Sequence, residues 1–323
     1  MNRRDFIKMG GIAGLALLQP WDVVRRLGVS DLSQIRPRLS EWDLPAEAAY
    51  EPTSKTMWDG MLHGNPVDKF SLYKMPYLQQ YQRTSVSTAG WAVSSDEPTS
   101  QWHDTFATYV TQTHAPSLDR HNWFFFDEEV WPVTTQAERL ATATKLANLV
   151  TNMKSRMPDW KFGYYVRPMK YDFVNAHAVI GGGSYNAFQA NNEDLATTTI
   201  YQSADAFFPY GYMPYTRDLT DPQTVSSYET VLRQTILEQR RLIKKYGKNQ
   251  PIYPFLSWTQ SGGGTQVLDF DLWEMSLRVC YQYADGFVLW GGFGVDWNVD
   301  KLQPWWLSIL ANIESGRFWS PAV

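Results

Sequence analysis

The chain has 323 residues, with 29 Lys and Arg against 33 Asp and Glu and a formal net charge of −4. It therefore lacks the excess of positive charge that binds nucleic acid or an anionic membrane surface, and at this length it is either one large α/β domain or two smaller ones. Its 15 Trp, 18 Tyr and 16 Phe suit contact with sugar rings, whose apolar C–H faces pack on aromatic planes, as well as they suit an aromatic-rich core.

At the N-terminus, Asn2-Arg3-Arg4-Asp5-Phe6-Ile7-Lys8 precedes an apolar stretch from Met9 to Leu18 that is too short to span a bilayer. The Arg pair, Phe6 and Lys8 resemble a twin-arginine export signal. That resemblance implies the twin-arginine export machinery as a partner and a periplasmic, cell-surface or extracellular destination; a basic amphipathic N-terminus is the other reading. No other segment is expected to span a membrane. Residues 1–30 are read as signal and flank, 31–55 as a linker or wrapping arm without periodicity, and 56–323 as one folded domain. Cys280 is the only cysteine, so no intramolecular disulfide can form, and its neighbours Leu277, Val279 and Tyr281 predict a buried structural thiol.

Strands are predicted at Phe70–Tyr73, Thr88–Val93, Trp123–Asp127, Lys161–Val166, Ala206–Tyr212, Ile252–Trp258 and Gly286–Trp290. Helices are predicted at Thr135–Met157, with Leu140, Thr144, Leu146, Leu149, Val150 and Met153 on one stripe, and at Val225–Tyr246, with Val231, Ile236, Leu237 and Leu242 inward and Gly247 as its stop. Strand and helix alternating this often predict a parallel sheet. At this length the expectation is an α/β fold, a distorted TIM-like (β/α) barrel of seven or eight strands. The triplets Gly181–Gly183 and Gly262–Gly264 lack the lysine and the following helix of a phosphate loop and are read as turning loops near the barrel mouth.

The most informative run is Asn122–Pro132, NWFFFDEEVWP, an aromatic strand that ends in three carboxylates. Side chains two apart on a strand share a face, so Asp127 and Glu129 should point one way and Glu128 the other. Two like charges this close in an aromatic frame raise one pKa and leave the other group ionised, as a general acid near neutral pH requires. A solvated acidic loop is the plainer alternative. Neighbouring carboxylates on one strand cannot flank a glycosidic bond from opposite faces, so another group must supply the nucleophile. A sugar bearing a 2-acetamido group supplies it from its own amide oxygen.

Asp127-Glu128-Glu129-Val130-Trp131-Pro132 resembles the D-W-E-x-W-R-P stretch of the hyaluronidases, glycoside hydrolase family 56. Further segments follow in the family's order. Gly163–Phe173 resembles G-Y-Y-x-F-P-x-C-Y-N, Ala190–Leu195 and Phe208–Tyr212 resemble N-D-x-L and Y-P-S-I-Y, and Ala284–Gly291 resembles A-x-G-V-V-L-W-G. The resemblance implies a distorted α/β barrel with Glu129 as acid/base, Asp127 positioning the acetamido group and Tyr212 hydrogen-bonding near it. It implies Tyr171 against the sugar and Trp290 at the pocket floor, while Tyr165 and Tyr210 on the matched segments are read as further substrate contacts. The family's Cys is replaced by Lys170, its Arg is absent and Glu128 adds a charge, which disfavours a polyanion such as hyaluronan. Glu128 is thus read as a further substrate contact that bears on the choice of substrate.

Asp172 and Asp296 are the first candidates for a second catalytic carboxylate, and Asp172 is also read as a substrate contact. Trp258, ending a strand, and Trp297, after a Gly-rich loop, are candidate sugar platforms. The five histidines show no metal-ligand spacing and no G-x-S-x-G is present, so no metal, cofactor or serine nucleophile is expected. Together with the resemblance, the sequence thus predicts an exported glycoside hydrolase, endo action favoured over exo, that cleaves a polysaccharide at an N-acetylhexosamine by a retaining, substrate-assisted mechanism. Two alternatives stay open: a glycosidase with two protein carboxylates acting on a sugar without an acetamido group, and a non-catalytic surface glycan-binding protein.

Overall fold

The structure, a computed structural model, describes residues 55–59, 79–81, 97–114, 123–128, 131–169, 183–213, 222–259, 268, 270–290, 308, 309 and 312. Its strands are β1 Thr56–Asp59, β2 Gln79–Tyr81, β3 Trp123–Asp127, β4 Lys161–Tyr165, β5 Ala206–Phe208, β6 Phe255–Leu256 and β7 Gly286–Leu289. The longer helices are α1 Ser100–His114, α2 Gln136–Arg156, α3 Gly183–Leu195, α4 Thr198–Ser203, α5 Pro222–Tyr246 and α6 Phe270–Tyr283. The predicted strands Phe70–Tyr73 and Thr88–Val93 lie outside the described residues.

Every strand pairing among the described residues is parallel, as crossover helices demand. One sheet runs β2-β3-β4-β5 and the other β1-β7-β6. Parallel bridges Phe207↔Ile252 and Tyr210↔Phe255 join β5 to the β6 segment. The combined order is thus β2-β3-β4-β5-β6-β7-β1, a mixed α/β fold in which β1 lies beside the last strand. Among the described residues β1 and β2 are not paired, so the expected ring of seven or eight strands is seen as a rolled parallel sheet.

The strand period of two sorts the core into two layers. Phe124, Phe126, Phe162, Tyr164, Phe207, Leu256, Phe287 and Leu289 face the helices and join their buried residues. Trp58, Phe125, Tyr165, Phe208, Phe255 and Val288 face the other way into a single cluster contributed by β1, β3, β4, β5, β6 and β7. Trp58 on β1 meets Trp123 on β3 at 5.3 Å between ring centroids, so β1 at one end of the order approaches β3, next to the other end, across this interior. Gly163 makes room there, because a Cβ on it would stand 2.2 Å from the Phe208 ring.

Helix ends follow local chemistry. The Thr135 hydroxyl accepts from the Glu138 N–H, and the Glu138 carboxylate accepts from Thr135 at 2.8 Å, a reciprocal cap that starts α2. The apolar stripe of α2 departs from expectation: Arg139, Thr142, Ala143, Leu146, Leu149, Val150 and Met153 are buried, whereas Thr144 is exposed and Leu140 is 52% exposed. At 100° per residue position 140 falls beside, not on, the buried line. On α5, Val231, Ile236 and Leu242 are buried and Leu237 is half-buried. Gly183 also corrects the reading of its triplet, since it opens α3 and a helix does follow. None of the described helices is long and apolar enough to cross a membrane.

Candidate active site

The C-terminal ends of β3, β4 and β5 lie in register, with Asp127 beside Tyr165 and Tyr165 beside Phe208. Register partners on parallel strands share a face and sit ~4.8 Å apart, so the Asp127 carboxylate stands next to the Tyr165 ring on the interior side. Asp127 is half-buried while Phe125, one layer below, is fully enclosed. An aromatic floor with a carboxylate at its open rim results.

Past β5 the chain keeps the same parity, so Phe208, Tyr210 and Tyr212 climb one wall of the interior. Tyr212 packs edge-on against Tyr210 at 4.7 Å and lies 6.3 Å from Tyr165. Phe255 touches Tyr165 at 4.7 Å and Trp290 at 5.3 Å, linking the tyrosines to the β7 side. Trp290 is 9% exposed and its N–H donates to the Leu256 carbonyl at 2.7 Å, which fixes the chain as it leaves β7. Asp127, Tyr165, Tyr210, Tyr212 and Trp290 are therefore gathered at one mouth of the rolled sheet.

The Tyr212 hydroxyl is buried and, among the described residues, finds no well-aligned hydrogen-bond partner. Burial pushes its pKa well above the ordinary tyrosine range, and Tyr165, whose hydroxyl is within side-chain hydrogen-bonding reach, Tyr210 and Asp127 push the same way. It stays protonated, a donor held ready beside a carboxylate.

Glu128 continues the outward parity of Phe124 and Phe126. It is 4% exposed and accepts the Trp131 N–H at 3.2 Å, bracing the turn after β3. Trp258 is likewise placed with the sheet–helix layer, and its carbonyl accepts from Leu268 at 2.7 Å. Glu129, Tyr171, Asp172, Asp296 and Trp297 lie outside the described residues.

One residue of this rim gives no sequence signal. Val166, directly after Tyr165, has φ 61°, in the left-handed region that a β-branched side chain rarely enters. Such a conformation costs about 1–3 kcal/mol and persists only where surrounding structure imposes it. Asn249, the other non-glycine residue with positive φ among those described, lies in the turn after α5 and is of a type that tolerates that region. Among the described residues no group of three or more His, Cys, Asp or Glu side chains could hold a metal ion.

No protein-family model matches the chain, and no curated protein matches it. Among solved structures, bee venom hyaluronidase is similar at 14% identity over 78% of this chain and 74% of that one, with a TM-score of 0.40. A GH18 chitinase from Pseudoalteromonas aurantia shares 15% identity over 78% and 82%, at 0.42. A sugar phosphate isomerase/epimerase from Parabacteroides distasonis shares 12% over 93% and 95%, at 0.39. With all three scores below 0.5, the functional reading rests on the residues of the site itself.

Proposed function

We propose that the chain is a glycoside hydrolase that cleaves a polysaccharide at an N-acetylhexosamine. The observation that carries the reading is the juxtaposition of the half-buried Asp127 carboxylate with the buried, protonated Tyr212 hydroxyl at the C-terminal rim of a parallel sheet. Active sites of α/β folds form at that rim. Aromatic walls present the C–H faces that a sugar ring needs.

In this mechanism Asp127 orients the acetamido N–H and Tyr212 donates a hydrogen bond to the amide oxygen as it turns toward the anomeric carbon. That oxygen forms the new bond to carbon while Glu129 protonates the departing glycosidic oxygen, leaving an oxazolinium ion on the sugar. Glu129, now ionised, takes a proton from water, which opens the oxazolinium ring and restores the configuration. Export through the twin-arginine machinery belongs to the same reading.

The test uses purified protein and a panel of acetamido-bearing polysaccharides, with release of reducing ends as readout. Glu129→Gln is expected to lower kcat by about 10²–10⁴, the usual contribution of a general acid. Asp127→Asn should also lose activity, and an N-acetyl thiazoline mimic should inhibit the wild type. A Glu129→Gln protein working at the wild-type rate sinks the assignment. Indifference to the mimic, with activity intact, transfers the site to the two-carboxylate alternative.

A further inference from the structure

We infer that Val166 is a positioning residue, whose forced left-handed turn holds Tyr165 against Tyr212 and Asp127. The inference rests on the proposed glycosidase reading for one of its readouts and on geometry alone for the other.

Three backbone hydrogen bonds fix this turn. The Val166 N–H donates to the Phe208 carbonyl at 3.0 Å, tying the end of β4 to β5. The Arg167 N–H folds back onto the Tyr165 carbonyl at 2.6 Å, closing a three-residue turn around Val166. The Met169 N–H then donates to the Val166 carbonyl at 3.2 Å. The strand thus stops at Tyr165, and the chain leaves the sheet without displacing the Tyr165 ring from the interior.

The side chain at 166 is itself 5% exposed and belongs to the interior cluster with Tyr165, Tyr212 and Phe255. A valine used only as a spacer would not sit where glycine is the natural occupant. Branching stiffens the side chain and narrows the backbone's choices, so once the cluster grips Val166 the turn has few alternatives. Tyr165 is the neighbour that gains from it, being the register partner of Asp127 and lying 6.3 Å from the Tyr212 ring. Strain placed at the rim of a candidate site, instead of at the base of the fold, is what a positioning role requires.

Two variants separate positioning from packing. Val166→Gly relieves the backbone but frees the turn, and Val166→Thr keeps the branched shape. In steady-state assays on the best acetamido polysaccharide, Val166→Gly is expected to lose at least tenfold in kcat with KM changed less than threefold. Val166→Thr should stay within threefold of wild type in both.

The second readout needs no activity. The ultraviolet phenolate titration of each protein is compared with that of its own Tyr212→Phe derivative, so that the difference isolates Tyr212. In the wild type and in Val166→Thr no Tyr212 phenolate should form before the protein unfolds. In Val166→Gly it should appear near the ordinary tyrosine value of about 10, because water reaches the hydroxyl once Tyr165 moves.

A folded Val166→Gly protein with wild-type kcat and an unchanged Tyr212 titration overturns the inference. Should Val166→Gly fail to fold, Val166→Ala takes its place under the same criteria. If the wild type cleaves no acetamido polysaccharide, the proposed function fails, and the Tyr212 titration alone decides the role of Val166.

Discussion

A buried phenol hydroxyl without a well-made hydrogen bond costs about 1–3 kcal/mol, and among the described residues the Tyr212 hydroxyl beside Asp127 finds no well-aligned partner. Removing the oxygen should therefore help the fold and harm the chemistry. Tyr212→Phe is predicted to raise the thermal midpoint by a few degrees, the shift that ~1 kcal/mol brings in a chain of this size, while lowering kcat/KM by about 10–100-fold. Calorimetry and initial rates on the same preparation decide it. A lower midpoint with unchanged rates would mean that the hydroxyl serves packing, not substrate. The residue scale also shows what one sequence can disclose. Asp127 was legible because strand parity and the aromatic run fix its face, Tyr165, Tyr210 and Tyr212 only through the family resemblance of their segments, and the structure gathers them. Val166 was not legible, since a valine after Gly-Tyr-Tyr reads as one more strand residue and its φ of 61° comes from contacts formed after folding.

At the scale of elements, α3 and α5 are joined by an ionic latch. The Glu193 carboxylate accepts from Arg241 at 2.5 Å, from Lys245 at 2.8 Å and from the Tyr246 hydroxyl at 2.5 Å. Arg241 also grips Glu238 at 2.7 and 2.8 Å, and Glu238 accepts from Gln189 of α3 at 3.2 Å. Partial burial pushes the Glu193 carboxyl up, but the three donors outweigh it and hold the group down to about 2. A folded-state value below the unfolded one stabilises the protein above the ordinary carboxylate pKa, and the gain is lost as pH falls from 4.5 toward about 2. Glu193→Gln should accordingly lower the melting temperature near neutral pH and converge on wild type toward pH 2, an effect of a few degrees at most because exposed pairs contribute ~0–1 kcal/mol each. Melting curves that stay parallel across that range would rule the latch out. The element boundaries show the same mixture of legible and hidden. The Gly247 stop is a local signal and α5 ends where it lies, while the Thr135–Glu138 cap that starts α2 is equally local. The shorter lengths of β5 and β6 come from Pro209 and Pro254, which carry no N–H for the ladder, so pairing beyond them survives as isolated bridges. β1 and β2 escaped notice because TMWD and QQY show no alternation of their own and become strands only by pairing with β7 and β3.

For the molecule as a whole, the seam between β1 and β7 decides whether the interior stays closed on one side. Its foundation lies at Asp285. The Asp285 carbonyl accepts the Thr56 N–H at 2.9 Å, while its carboxylate accepts from Arg240 at 2.7 Å and from the Ile252 N–H at 2.8 Å. Lys55 adds a bond from Nζ to the Ala284 carbonyl at 2.5 Å, with burial lowering its pKa to about 8. Between these anchors β7 begins at Gly286, whose φ of 150° suits glycine, and a Cβ there would stand 1.8 Å from the Thr56 carbonyl oxygen. No rotation relieves that contact, because both partners are backbone. Gly286→Ala must therefore either push β1 off β7 or twist the start of β7, and each response disturbs Trp58 in the interior cluster. We predict a loss above about 3 kcal/mol, in the range reserved for a named backbone or packing failure, seen as a large drop in the urea midpoint. Gly183→Ala is the matched control: a Cβ there meets nothing within 4 Å, and the residue opens α3, so its midpoint should equal or slightly exceed that of wild type. Equal midpoints for the two variants would show that β1 is a passive edge, and that the interior is held by β3 to β7 without it.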